Sequence, residues 1–135
     1  MSNSKPLVIA ATACEKVLQE KKDDVVSIIR MVDTFQMSTD VPIVHVNAIV
    51  ALKSGDVTGN YEIKLRIRTP SGDLRPIDGK WPVYLKGGEH GVTIGLTINL
   101  ESPVIGLYWI DVVWQDDVLT SFPIKLVRSV GESRA

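Results

Sequence analysis

The side chains with the clearest chemical potential lie in two segments that are predicted to be strands. Lys64, Arg66 and Arg68 occupy alternate positions of the first segment, and alternate side chains of a strand share one face. Three cations on one face could bind phosphate or an acidic protein. The competing interpretation is an ordinary solvated face, balanced by Glu62 or by a carboxylate from a neighbouring strand. The pattern favours this second interpretation. Under the first interpretation, the three cations form a candidate interaction surface.

The second segment, 106–115, has apolar side chains on both faces. Trp114 falls on the presumed core face, whereas Trp109 and Val113 fall on the opposite face and flank Asp111. If that face is exposed, the two apolar side chains form a patch typical of binding or self-association surfaces. If a second layer covers it, they belong to the core, which the pattern slightly favours. Trp81 is a further candidate, because an exposed tryptophan can stack on a sugar ring.

The sequence contains no recognisable catalytic or metal-binding motif, and we expect neither a catalytic residue nor a cofactor. His45 and His90 have no Cys or His partner at ligand spacing. No Gly-x-Ser-x-Gly nucleophile elbow occurs. A calcium site would need six to eight converging oxygens, so the scattered aspartates are better explained as turn formers. These aspartates are Asp23, Asp24, Asp56, Asp73, Asp78, Asp116 and Asp117.

Charge and hydropathy exclude several classes of protein. Fifteen Lys and Arg stand against sixteen Asp and Glu, for a net charge of −1, so the basic surplus typical of nucleic-acid binding is missing. No apolar run approaches the roughly 18 residues of a membrane span. The run from Leu7 to Cys14 is short for a signal peptide, and Cys14 is the single cysteine. We therefore expect a cytoplasmic protein that contacts neither membrane nor nucleic acid.

The 135 residues fit one domain, 1–135, with an ordered core from about 6 to 128. Val and Ile supply 31 of these residues, a composition that favours strands. Turn residues separate the apolar segments without a helical crossover, which predicts an antiparallel β-sandwich of about eight strands, immunoglobulin/C2-like or jelly-roll-like. The first segment, Leu7–Leu18, fits a helix and a strand equally well by period. The other predicted strands cover 25–34, 42–53, 61–69, 83–85, 92–100, 106–115 and 118–127.

Short patterns along the chain resemble a family of small bacterial all-β domains of unknown function. These patterns are Cys14-Glu15-Lys16-Val17, Val26-Ser27-Ile28-Ile29 with Val32-Asp33, Pro70-Ser71-Gly72-Asp73, and Pro103, Gly106 and Tyr108. The resemblance implies an eight-stranded β-sandwich and a strand at the N-terminal segment. It implies no activity.

The sequence thus predicts a non-enzymatic protein-interaction or structural module whose partner is another protein or a second copy. One alternative is a module for a small ligand or carbohydrate that uses Trp81 or Trp109. The other is a calcium-dependent membrane-binding domain built on acidic loops.

Overall fold

The fold is nearly all β. The structure, a computed structural model, describes residues 5–19, 26–31, 34–37, 43–101 and 104–128. Within these ranges the chain forms seven strands and no helix. The strands are β1 (Leu7–Gln19), β2 (Val26–Met31), β3 (Thr34–Met37), β4 (Ile43–Arg68), β5 (Leu74–Glu101), β6 (Gly106–Trp114) and β7 (Asp117–Arg128). The ambiguous N-terminal segment is therefore a strand.

Strands β4 and β5 form one long hairpin, and together they include four of the segments that were predicted as separate strands. Segments 42–53 and 61–69 belong to β4, and segments 83–85 and 92–100 belong to β5. The pairing of the two strands shifts between Lys53 and Gly55 and again between Gly55 and Thr58. Bulges of this kind take up extra residues and bend a strand without ending it. Gly88, which falls among the turn residues between two predicted strands, thus lies inside the ladder and pairs with Gly55.

The described strands form a single curled mixed sheet, a half-barrel. Its order is β2-β1-β4-β6-β7-β3, and β5 pairs with β4 beside this path. Strand β1 pairs with the first half of β4 and β6 with the second half. The β3–β7 pair is parallel and the other pairs are antiparallel. All-β is confirmed, whereas the sandwich of about eight strands is not, because the bulged hairpin keeps the strands in one hydrogen-bonded sheet.

One face of this sheet carries the core. Ile63, Leu65 and Ile67 of β4 alternate with Lys64, Arg66 and Arg68, and the three apolar side chains are buried. Tyr108, Ile110, Val112 and Trp114 of β6 are buried on the same core. The opposite, outer face therefore carries the candidate residues of β4 and β6, namely Lys64, Arg66, Arg68, Trp109 and Val113. No helix within the described ranges is long and apolar enough to cross a membrane.

Candidate functional site

Strand pairing joins the two candidate segments on the outer face. Along β4 and β6, Lys64 lies opposite Val113 and Arg68 lies opposite Trp109. Between these pairs, Arg66 lies opposite Asp111. Directly opposed side chains of antiparallel strands lie about 4.5–5.5 Å apart at Cβ. The basic row and the apolar pair, recognised separately in the sequence, are thus one surface.

Asp111 is the organising residue of this surface. Its side chain is buried, and the whole residue is only 1% exposed. Nε and Nη2 of Arg66 donate to its Oδ2 at 3.0 and 2.9 Å. Nη2 of Arg68 donates to Oδ1 at 3.0 Å, and the Ser121 hydroxyl donates to the same oxygen at 2.6 Å. One carboxylate therefore holds two arginines from β4 and a serine from β7.

The surroundings of Asp111 affect its ionisation in opposite directions. Burial raises the pKa of the carboxyl group, because desolvation penalises its charged form. The hydrogen bonds from Ser121 and Arg66, together with the charge and hydrogen bond of Arg68, lower it. The lowering prevails, and the pKa of Asp111 lies below its ordinary value of 3.8. The carboxylate is therefore charged at neutral pH and pairs with both arginines.

Trp109 lies on the surface and is 36% exposed. The core interpretation, which the sequence slightly favoured, is wrong for this residue, because no second layer of described residues covers the outer face here. The guanidinium carbon of Arg68 lies 5.8 Å from the Trp109 ring centroid, within the range of a cation–π contact. Across the next strand pair Trp109 faces Pro123. Val113 is half-buried at the other end of the row.

Further apolar side chains extend this surface towards the end of β4. Leu107 is 44% exposed and shares the outer face of β6 with Trp109. Leu74 is 56% exposed and pairs with Arg68 from the side of β5. Lys125 lies opposite Leu107 and is exposed. We call the whole surface the outer patch, defined by Lys64, Arg66, Arg68, Leu74, Leu107, Trp109, Asp111, Val113 and Lys125.

Trp81 does not belong to the outer patch. It pairs with the buried Ile63 and packs, partly buried, against the core. A Cβ at Gly79 would lie 3.1 Å from its ring, so glycine leaves room for the indole. The structure therefore places five of the six predicted surface residues together and the sixth on the other side of the sheet.

Sequence reasoning missed Asp111, Leu74 and Leu107. The signal for Asp111 was present, because a carboxylate between Trp109 and Val113 is unusual on an apolar strand face. The prediction of a neighbouring carboxylate for the basic row also anticipated this chemistry without identifying the residue. Alternation along 106–115 placed Leu107 on the same face as Trp109, but its residue type did not mark it as a candidate. Leu74 gave no comparable signal, since its exposure depends on the strand register.

The other residues considered for catalysis or metal binding on the basis of the sequence do not cluster within the described ranges. Within the described ranges no three His, Cys, Asp or Glu side chains are grouped so as to hold a metal ion. Nδ1 of His45 hydrogen-bonds the side-chain oxygen of Asn99. His90 lies in β5, and Cys14 is buried in β1. Asp23 and Asp24 lie outside the described residues.

A cleft of about 510 Å³ opens on the side of the half-barrel where the two ends of β5 approach each other. Residues 75–78 line it from one end of β5 and residues 97–100 from the other. Ile67 and Tyr108 contribute core side chains, and Ser71 contributes a hydroxyl. The cleft holds no organised group of catalytic or ligating side chains among its lining residues.

Comparisons with known proteins identify no family. No protein-family model matches the chain, and no curated protein matches it. Among solved structures, a β-glucosidase from Erythrobacter marinus has 18% identity over 70% of this chain and 14% of its own length, with a TM-score of 0.48. A β-glucosidase from Kluyveromyces marxianus has 18% identity, covers 65% and 13%, and has a TM-score of 0.46.

A third similar structure is an alkylpurine DNA glycosylase from Pseudomonas fluorescens, solved with DNA containing an abasic site analogue. Its identity is 10%, the match covers 70% of this chain and 27% of the other, and the TM-score is 0.45. The chain thus spans a small part of each of these proteins. Likenesses at these identities and scores assign neither an activity nor a ligand.

Proposed function

We propose that this chain is a non-enzymatic protein-interaction module and that the outer patch is its binding surface. The observation that carries the proposal is the attachment of Arg66 and Arg68 to the buried Asp111 beside the exposed Trp109. Tryptophan and arginine are the side chains most often found at the energetic centres of protein interfaces.

Arg66 and Arg68 are already hydrogen-bonded to Asp111 before any partner binds. Their side chains remain 39% and 43% exposed although each is hydrogen-bonded to Asp111. A long side chain that is already ordered loses less conformational entropy when a partner binds. A partner therefore meets a rigid guanidinium pair next to an indole and the exposed Leu107.

Sugar binding is the second interpretation of the exposed tryptophan, and two contacts weigh against it. Arg68 already lies over the Trp109 ring, where a sugar ring would stack. Trp81 packs against the core and is only partly accessible. Charged and aliphatic neighbours together fit a protein partner better than a neutral sugar.

Site-specific photo-crosslinking in cells tests the proposal, because a photoreactive side chain captures whichever protein binds next to it. A photoreactive phenylalanine analogue replaces Leu107 in the outer patch, or Tyr84 as a control. Tyr84 is 53% exposed but lies elsewhere on β5. We expect a defined protein adduct from position 107 that position 84 does not give, and its mass distinguishes a second copy from a different protein. Identical adduct patterns at both positions would contradict the proposal.

We propose the cytoplasm as the compartment in which this module acts. The chain has a single cysteine, Cys14, which is buried and so forms no disulfide within the chain, and proteins of reducing compartments rarely depend on disulfides. Fractionation of cells that express the tagged protein tests this point.

A further inference from the structure

The outer patch carries more positive charge than its own carboxylates neutralise. Lys64, Arg66, Arg68 and Lys125 are its cations, and Asp111 is shared between the two arginines. Adding Glu62 and Asp116, which line one cavity together with Lys64 and Val113, still leaves a surplus of one positive charge. The whole chain, by contrast, has a net charge of −1. A locally cationic surface on an overall acidic chain selects an anionic partner.

The spacing of the cations specifies the conformation of that partner. Lys64, Arg66 and Arg68 alternate along β4, so the Cα atoms of neighbouring cationic residues lie about 6.6–6.8 Å apart along the strand axis, although the guanidinium groups of Arg66 and Arg68 converge on Asp111. An extended peptide repeats its side chains on one face at the same distance. Carboxylates at alternate positions of an extended segment therefore match the cations one to one.

Apolar neighbours determine which class of polyanion fits. Leu107, Leu74 and Trp109 are exposed beside the Arg68 end of the cation row. An aliphatic side chain in the partner can bury these groups, whereas a nucleobase would stack on an open aromatic face, and Arg68 already lies over the Trp109 ring. The nucleic-acid interpretation is therefore weaker than the protein one.

We propose that the outer patch binds an extended acidic segment of a partner protein, with carboxylates at alternate positions and an aliphatic residue on the same face of the segment. The carboxylates pair with Lys64, Arg66 and Arg68, and the aliphatic side chain packs on Trp109 and Leu107. This inference rests on the proposed function, and it adds the chemistry and conformation of the partner.

A synthetic peptide, Leu-Ser-Glu-Ser-Glu-Ser-Glu-Ser-Leu, tests the spacing, because its glutamates and both leucines share one face when it is extended. Its sequence reads the same in both directions, so its orientation on the patch does not matter. Its matched control, Leu-Ser-Ser-Glu-Glu-Glu-Ser-Ser-Leu, has the same composition and charge with adjacent glutamates. A second control replaces every glutamate with glutamine. Binding is followed by NMR titration of the full chain, which resolves the Trp109 indole N–H from those of the other tryptophans.

We expect only the alternating acidic peptide to shift the signals of Trp109 and of residues 64–68. Binding weakens as ionic strength rises from about 50 to about 300 mM, because salt screens exposed charges. Lys64→Gln weakens binding about two- to five-fold, the range expected for one exposed ion pair. Lys86→Gln, an exposed lysine opposite Thr58 on the far part of the hairpin, leaves binding unchanged.

Equal binding of the two acidic peptides would overturn the alternate spacing, and equal binding of the glutamine peptide would overturn the role of charge. An oligothymidylate that shifts these signals when no peptide does would assign the patch to nucleic acid. If no peptide binds but position 107 still crosslinks to one protein, the partner chemistry is wrong and the proposed function stands. If crosslinking is also non-specific, both fail.

Discussion

Arg66 and Asp111 face each other across β4 and β6, and two nitrogens of the guanidinium donate to one oxygen of the buried carboxylate, at 3.0 and 2.9 Å. The other oxygen remains available for Arg68 and Ser121. This arrangement gives Asp111 two roles. It joins three strands on the outer face, and it keeps two arginines ordered at the surface.

Replacing Asp111 with asparagine should destabilise the fold by about 2 kcal/mol. The amide keeps the shape of the side chain but removes the charge that the two arginines share, and hydrogen bonds to charged groups contribute roughly 1.5–3 kcal/mol each. The partial exposure of both arginines limits the loss, since water can solvate them in the variant. Urea unfolding followed by circular dichroism measures the change. Asp78→Asn, an exposed matched control, should change stability by less than about 0.5 kcal/mol.

The contribution of Asp111 to stability should depend on pH. Its pKa is lowered in the folded state, so the folded protein binds this proton less readily than the unfolded chain does. The stabilisation is therefore fully present above the ordinary value of 3.8 and is lost as the pH falls through the lowered folded pKa. The difference in unfolding free energy between the wild type and Asp111→Asn should be constant from pH 7 to about pH 5 and then shrink. A difference that grows on acidification would refute the sign of this shift.

The content of the outer patch could be predicted in part from the sequence, but its assembly could not. Alternation places Lys64, Arg66 and Arg68 on one strand face, and it places Trp109 on the same face as Asp111. That these two faces meet depends on the register of β4 against β6, which is a property of the whole sheet. Trp81 was included for its residue type alone, and the register places it on the core side.

The fold, like the outer patch, could be predicted from the sequence only in part: the strands could, but their arrangement in the sheet could not. Strict alternation of apolar and other residues in 61–69 and 92–100 predicted strands correctly, since a period of two has no helical counterpart. Gly88 was among the turn residues expected before the strand at 92–100, and it instead lies at a bulge in the β4–β5 ladder, where it pairs with Gly55. A glycine with a positive φ angle serves a turn and a bulge equally. The resulting continuous hairpin explains why the predicted strand count and two-sheet arrangement differ from the single curled sheet.

Alanine substitutions at Trp109 and Trp114 should affect different properties, partner binding for the first and stability for the second. Trp109→Ala removes a side chain that is 36% exposed, so we expect a loss of stability below about 1 kcal/mol together with loss of the partner adduct at position 107. Trp114 is 2% exposed, and its replacement by alanine should cost about 3–5 kcal/mol. Urea unfolding and crosslinking of both variants test this. A Trp109→Ala variant that is folded and crosslinks normally would remove Trp109 from the binding surface.

Gly106 should be intolerant of any side chain. Its φ angle is 143°, a region that other residues rarely adopt, and a Cβ would lie 2.8 Å from Cβ and Cγ of Pro70. Gly106→Ala should therefore destabilise the protein by more than about 1 kcal/mol, since strain and steric overlap add. Gly72→Ala is the matched control, because φ is also positive there but no heavy atom lies within 4 Å. Equal losses at both positions would show that backbone strain alone determines the cost.

The Tyr108 hydroxyl should hold the backbone of Val104 in place next to the outer patch. This hydroxyl donates to the carbonyl of Val104 at 2.8 Å and accepts from the backbone N–H of the same residue at 3.0 Å. Tyr108→Phe keeps the buried ring but leaves both backbone groups without this partner, so we expect a loss of about 1–2 kcal/mol. Amide hydrogen exchange should be faster at Val104 than in the wild type, whereas exchange at Ile110, in the middle of β6, should change only with global stability. An unchanged exchange rate at Val104 would mean that the hydroxyl does not hold this segment, and Leu107 would then owe its position to the β6 ladder alone.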